Sequence, residues 1–211
     1  MGSFYELYSE DPEVELKSWT EGGSFHSRIH TPLGALEEER VFDQGSYSFN
    51  IKKHLLQTVD DFPIVEYLME RLKCRPKWDY YRQWEEALDD LAYIYVNLPY
   101  SGSGYLMSRN MGVEKTVFAV LDHPDRVKRL VDSVNACNLR ILDTIIDGPF
   151  DTLIISDNYD SNVQTEDYFD AYVRDYYTEV ARRLHENGKY LAVHVDGENR
   201  GIVRWLAECG V

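Results

Sequence analysis

The spacing of apolar and polar residues changes period near residue 58, and that change organises the chain. Before it, Glu13-Val14-Glu15-Leu16 and Ser24-Phe25-His26-Ser27-Arg28-Ile29 alternate in the manner of half-buried strands. Gly22-Gly23 supplies a turn between them. Thr31-Pro32-Leu33-Gly34 supplies the next, and a polar strand follows from Ala35 to Phe42. Residues 1–57 therefore read as a small antiparallel meander.

From Val59 the period is helical. Phe62, Val65, Leu68, Met69 and Leu72 recur at three- and four-residue steps, and Arg75-Pro76 ends that helix. A second helix is expected over Tyr81–Leu91, with Trp84 and Leu88 on one face. A strand–helix rhythm follows. Ala92–Leu98 is an apolar run of strand length, closed by Pro99 and a Gly- and Ser-rich connection, Ser101–Gly104. Pro124 opens a long helix with Val127, Leu130, Val131, Val134, Ile141, Leu142 and Ile145 as its apolar stripe, and Gly148 stops it. Asp151–Ser156 is the next buried strand. Thr165 caps a helix that carries Tyr168, Phe169, Tyr172, Tyr176, Val180 and Leu184 inward, up to Gly188. Tyr190–Val195 is the third strand, and Arg200–Cys209 is the last helix.

Apolar strands separated by long helices imply a parallel sheet covered on both faces. A complete eight-stranded barrel takes roughly 250 residues. Three or four barrel-type strands are visible here. The expected fold is α/β: a partial (β/α) TIM-type barrel over 58–211, behind the meander of 1–57. The stop at Gly210-Val211, where another strand is expected, reads as the end of a piece of a larger fold. Met1-Gly2-Ser3 reads as an expression-vector remnant.

Charge narrows the partners. The net charge of −15 over 211 residues disfavours nucleic acid, whose phosphates need clustered Lys and Arg, and an anionic membrane surface. No apolar run reaches the roughly 20 residues that span a bilayer, and no secretory signal is visible. Cys74, Cys137 and Cys209 are odd in number and widely spaced, which fits reduced cytosolic thiols. Motifs for dinucleotides (GxGxxG), P-loops, serine-hydrolase elbows and zincins are absent.

Reactive groups in parallel α/β folds gather at the carboxyl ends of strands. Three such ends can be read: Asn97-Leu98-Pro99-Tyr100, Asp157-Asn158-Tyr159-Asp160 and His194-Val195-Asp196. His194 and Asp196 are two residues apart and point to one side of an extended strand. A His beside a carboxylate suits a general acid/base, or two ligands of a divalent metal. It equally suits a hydrogen-bonded strand histidine followed by a capping Asp. Asp157 and Asn158 are candidates for charge stabilisation and substrate contact, or for an Asx turn. Tyr100 and Tyr105 are candidates for substrate contact.

The order of these parts resembles the uroporphyrinogen decarboxylase superfamily, which includes decarboxylases and cobalamin-dependent methyltransferases. The matching segments are His30-Thr31-Pro32-Leu33-Gly34, Leu121–Val134, Phe150–Asn158, Thr165–Tyr177 and the Gly188–Gly197 strand with the Ala207–Val211 helix end. The likeness spans roughly residues 30–211, and order and spacing carry it. It implies that His194, with Gly197 three residues on, is the family's strand-end histidine. Asp196 stands where the zinc methyltransferases place a cysteine ligand. The arginine-rich N-terminal segment and the late C-terminal histidine of true porphyrinogen decarboxylases are missing. The resemblance implies a methyltransferase-like enzyme with zinc at His194 and Asp196 and a corrinoid protein as methyl carrier. The alternatives are a cofactor-independent decarboxylase of a carboxylated small molecule, using Asp157, Tyr100 or Tyr105, and a non-catalytic barrel remnant. An opened barrel also predicts self-association through its free edge and uncovered face.

Overall fold

The computed structural model describes residues 3–211, so the Met1-Gly2 part of the expected remnant lies outside the described residues. In chain order the strands are β1 (Tyr5–Tyr8), β2 (Glu15–Glu21), β3 (Ser24–Thr31), β4 (Gly34–Asp43) and β5 (Ser48–Lys53). Helix α1 (Phe62–Arg71), β6 (Lys73–Pro76), α2 (Trp78–Leu88) and β7 (Val96–Asn97) follow. A three-residue helical turn, α3 (Gly102–Gly104), runs into a π-helical turn at Tyr105–Asn110, then α4 (Val113–Asp122) and α5 (Pro124–Ile145). Last come β8 (Thr152–Tyr159), α6 (Glu166–Tyr172), α7 (Arg174–Glu186), β9 (Tyr190–Val195) and α8 (Ile202–Glu208).

Two compact units divide the chain. One comprises residues 3–8, Lys73–Gly104 and Val134–Val211; the other comprises Ser9–Leu72 and Tyr105–Ser133. The grouping differs from the boundary expected near residue 57. The first eight residues belong with the later strands because β1 pairs antiparallel with β6, Leu7 opposite Cys74. Helix α5 contributes its first part to one unit and its second part to the other.

The Ser9–Leu72 unit is built on the expected meander, lengthened by one strand: an antiparallel sheet in the order β2-β3-β4-β5. One face carries Ile29, Leu36 and Glu38 toward the interior, where Phe62, Val65 and Leu68 of α1 and Leu106, Val127 and Leu130 are buried. Glu38 is buried but not isolated. Both guanidinium nitrogens of Arg109 donate to its carboxylate, Ser27 Oγ donates at 3.1 Å, and Arg40 Nε lies at 3.2 Å. A buried carboxylate is tolerated on such terms, because the desolvation cost is offset by charge-assisted hydrogen bonds.

The other unit holds a parallel sheet in the order β7-β8-β9. The order and direction are those expected of strand–helix–strand units. The sheets are open, and no barrel closes among the described residues: the fold shown is a mixed α/β fold with one parallel and two antiparallel sheets. The expectation of a sheet covered on both faces is corrected as well. Along β8 the even positions Thr152, Ile154, Ser156 and Asn158 are half-buried or exposed, while Leu153, Ile155, Asp157 and Tyr159 are buried. Along β9, Leu191 is buried, while Tyr190 and His194 are exposed. One face is therefore packed and the other is open.

Several element boundaries also moved, among them that of α2, which starts at Trp78 and ends at Leu88. Only Val96-Asn97 of the expected 92–98 strand pairs with β8, extended by Leu98 N donating to Ile154 O at 2.9 Å. The helix expected to run from Phe62 to Pro76 ends at Arg71, because Lys73–Pro76 is used as strand β6. The single helix expected after Thr165 is two, broken at Val173 (φ −128°, ψ −50°). The cap itself is as expected, with Thr165 Oγ1 accepting from Tyr168 N at 3.3 Å.

Candidate functional site

The parity of β8 decides which of its residues lie on the open face and which are packed against helices. Asp157 lies on the packed side and is wholly buried. Its Oδ1 accepts from Ser101 N at 2.9 Å, and its Oδ2 accepts from the phenols of Tyr159 and Tyr177, each at 2.8 Å. Tyr177 comes from α7, so this carboxylate ties the strand to the helix above it. The Ser101–Gly104 turn closes over the same group. Gly102 N donates to Asn135 Oδ1 at 2.7 Å, Gly104 N donates to Ser101 Oγ at 3.1 Å, and Asn138 Nδ2 donates to the Tyr100 carbonyl at 2.8 Å. Ser103 Oγ and the Tyr168 hydroxyl share a further bond at 3.0 Å.

Burial dominates the electrostatics here. It raises the Asp157 carboxyl above its ordinary value, even though the hydrogen bonds from Ser101, Tyr159 and Tyr177 pull the other way. Burial first, and then the Asp157 charge, holds the Tyr159 and Tyr177 phenols far above theirs. Both tyrosines are donors to Asp157, and neither is poised to ionise. The cluster is a fastening between loop, strand and helix. Asp157, a candidate catalytic group from its strand-end position, is placed in this fastening with its carboxyl wholly buried.

Gly104 shows how tight the fastening is. A Cβ placed there would sit 2.1 Å from Asp157 Oδ1 and 2.6 Å from its Cγ. Gly104→Ala is expected to destabilise the protein by about 1–3 kcal/mol, the usual cost of overpacking, and denaturant unfolding of the variant measures it. A wild-type midpoint would show that the turn yields freely.

The open face collects the other candidates. Ile155 pairs with Val193 and Tyr159 with Val195, so His194 lies opposite an irregular stretch of β8, Ser156–Asn158, at the carboxyl end of the sheet. Adjacent strands lie roughly 4.8 Å apart. The side chains of His194 and Asn158 are exposed. Asn158 holds φ +52°, the left-handed region that Asn tolerates better than most residues. Asp196 is exposed like His194, with half-buried Val195 between them, as the two-residue period predicts. Lower on the same face is Asn97, paired with Ile154 and exposed. Sequence reasoning passed over Asn97, although it opens one of the three strand ends. Tyr100 is half-buried in the loop after β7, and Tyr105 opens the π-helical turn of the other unit. The structure thus leaves His194, Asn158 and Asp196 exposed at or just beyond the strand ends and buries Asp157.

A zinc ion in a catalytic site takes three protein ligands. Among the described residues no group of three or more His, Cys, Asp or Glu side chains is arranged to hold a metal. His194 and Asp196 by themselves do not fit a zinc centre. The chemistry these residues support directly is proton transfer by an accessible imidazole, with an amide on the neighbouring strand to accept and donate hydrogen bonds. No helix among the described residues is long and apolar enough to cross a membrane, and the three cysteines are free.

Comparison with known proteins adds two likenesses. Residues 96–211 match the family model of uroporphyrinogen decarboxylase (URO-D). A solved structure of a methyltransferase from Methanosarcina mazei is similar in fold, with a TM-score of 0.50 and 11% sequence identity. The match covers 77% of this chain and 48% of that one, so this chain spans about half the length of that methyltransferase. No curated protein matches.

Proposed function

This chain belongs to the uroporphyrinogen decarboxylase family, and we propose that it serves methyl transfer to a small-molecule acceptor, with His194 as the group that takes the acceptor's proton. One observation carries the proposal: His194 is exposed, and it makes no hydrogen bond or ion pair within the described residues. It lies at the carboxyl end of the parallel sheet, near the end of β8 that carries the exposed Asn158. The family and the fold of the methyltransferase support the reaction class. The neutral imidazole takes the proton from an acceptor thiol or hydroxyl. The acceptor heteroatom forms its bond to the methyl carbon as the donor–carbon bond breaks. Asn158 orients the acceptor through its amide. A methylated corrinoid on a partner protein is the donor class this reaction takes.

Decarboxylation is the second reading, supported by the match to the uroporphyrinogen decarboxylase family model. There the imidazolium of His194 gives its proton to the carbanion left when carbon dioxide departs. One experiment separates the two. The protein is incubated with methylcobalamin and a thiol, and separately with uroporphyrinogen; methyl thioether and carbon dioxide are measured, and bound metal is assayed. Thioether formation is the expected result. Carbon dioxide without thioether replaces methyl transfer by decarboxylation, and neither product rejects both. The uncovered sheet face and free edges support self-association. Sedimentation should give a species heavier than the 24.7 kDa chain, and a stable monomer would contradict it.

A further inference from the structure

The parallel-sheet unit contains a cavity of about 420 Å³ between residues 3–5, α2 and the segment 92–99, and His194 does not line it. Five aromatic residues line it, Phe4, Tyr5, Trp84, Tyr93 and Tyr95, among aliphatic ones. Its volume falls in the range of small-molecule sites, which are lined by apolar and aromatic groups with a few polar ones. Among its polar groups is Asn97, whose side-chain amide makes no hydrogen bond within the described residues, while its backbone carbonyl accepts from Tyr5 Oη at 2.7 Å.

What selects the ligand is charge. Leu88, Ala92, Tyr93 and Ile94 also line a second, smaller pocket of about 160 Å³, so the two share a wall. Glu85, Asp89 and Asp151 line the smaller one. No Lys, Arg or His lines either cavity, and none of the three carboxylates has an ion-pair partner among the described residues. Their field is felt nearby: burial raises the Tyr81 phenol above its ordinary value, and Glu85 and Asp151 raise it further. An anionic ligand would meet three like charges. A neutral one would gain from the rings alone. A cation gains both from the carboxylates and from the aromatic faces.

We propose that the two cavities together bind an organic amine, its flat apolar body among the rings of Phe4, Trp84, Tyr93 and Tyr95 and its ammonium against Glu85, Asp89 and Asp151. The site is independent of the chemistry assigned to His194. It is a binding site, with no reactive step.

Calorimetric titration with three probes of one shape tests it: 2-naphthylmethylamine, 2-naphthylmethanol and 2-naphthoate. The amine should bind saturably, the alcohol about tenfold more weakly and the carboxylate not measurably. Glu85→Gln, Asp89→Asn and Asp151→Asn combined should bring the amine down to the affinity of the alcohol. Ala92→Trp, at an exposed position on the shared wall, should abolish binding of both. His194→Gln should bind the amine like the wild type. Circular dichroism confirms that each variant is folded. Equal binding of the three probes overturns the proposal. So does amine binding that survives Ala92→Trp, or that is unchanged in the combined variant.

Discussion

Asp157→Ala should lower the unfolding free energy by about 3–5 kcal/mol, the loss expected when a buried, hydrogen-bonded charge network loses its central member. The substitution leaves three donors without their acceptor: the phenols of Tyr159 and Tyr177 and the backbone N–H of Ser101. All of these residues are buried, so water does not replace the lost partner cheaply. It also opens a space under the Ser101–Gly104 turn. Denaturant unfolding followed by circular dichroism measures the loss. A change below about 1 kcal/mol, the scale of a surface substitution, would mean that the turn and α7 are held by packing alone.

Asp157→Asn separates charge from shape. The folded carboxyl titrates above its ordinary value because of burial, so the unfolded chain gives up this proton at lower pH than the folded one does. Protonated Asp157 therefore stabilises the fold below about pH 4, the unfolded value. That contribution declines as pH rises through the folded value. Asn does not titrate. The wild-type unfolding free energy minus that of the Asn variant should be greatest in acid and decrease as pH is raised. A difference that grows with pH would reverse the sign, and would mean that the hydrogen bonds outweigh desolvation.

His194→Gln should cost about 10²–10⁴-fold in kcat/KM for the proposed methyl transfer, the range of a positioned general base. Because His194 is exposed and bonded to nothing in the protein, the unfolding midpoint should stay put. Asn158→Ala should act differently, raising KM more than it lowers kcat, since an orienting amide is used in ground state and transition state alike. Retention of more than a tenth of the activity by His194→Gln would remove the imidazole from the proton-transfer role. The two sets of substitutions are thus expected to fall apart cleanly. At the buried Asp157 stability is lost, and at the exposed strand ends activity is lost without stability.

Much of this was legible in local sequence. The alternation of Glu13–Leu16 and Ser24–Ile29 gave β2 and β3, and Pro124 with its apolar stripe gave α5 over Pro124–Ile145. Thr165 capped α6, and the apolar runs at Thr152 and Tyr190 became β8 and β9. Each signal acts within a few residues, through a fixed period or a single hydrogen bond, so the chain states it wherever it occurs. The side on which His194 and Asp196 lie together follows from the same two-residue period.

Other features depend on residues far apart in sequence. Nothing near Lys73 announces that it will pair with Tyr8, and without that partner Lys73–Pro76 reads as a helix end. The break at Val173 has no Gly or Pro to mark it, so the apolar spacing from Tyr168 to Leu184 runs straight through. Most consequential is the face chosen by Asp157. The run Asp151–Ser156 is apolar enough on both sides that parity alone does not say which side meets helices. Tyr177, 20 residues on, and Ser101, 56 residues back, settle it by closing on one carboxylate. The amino-acid sequence by itself determined the α/β elements, their order and the strand-end positions of His194, Asn158 and Asp157. Only the tertiary structure decided that the first two look outward while the third is sealed inside, because a strand shows its two faces equally until something packs on one of them.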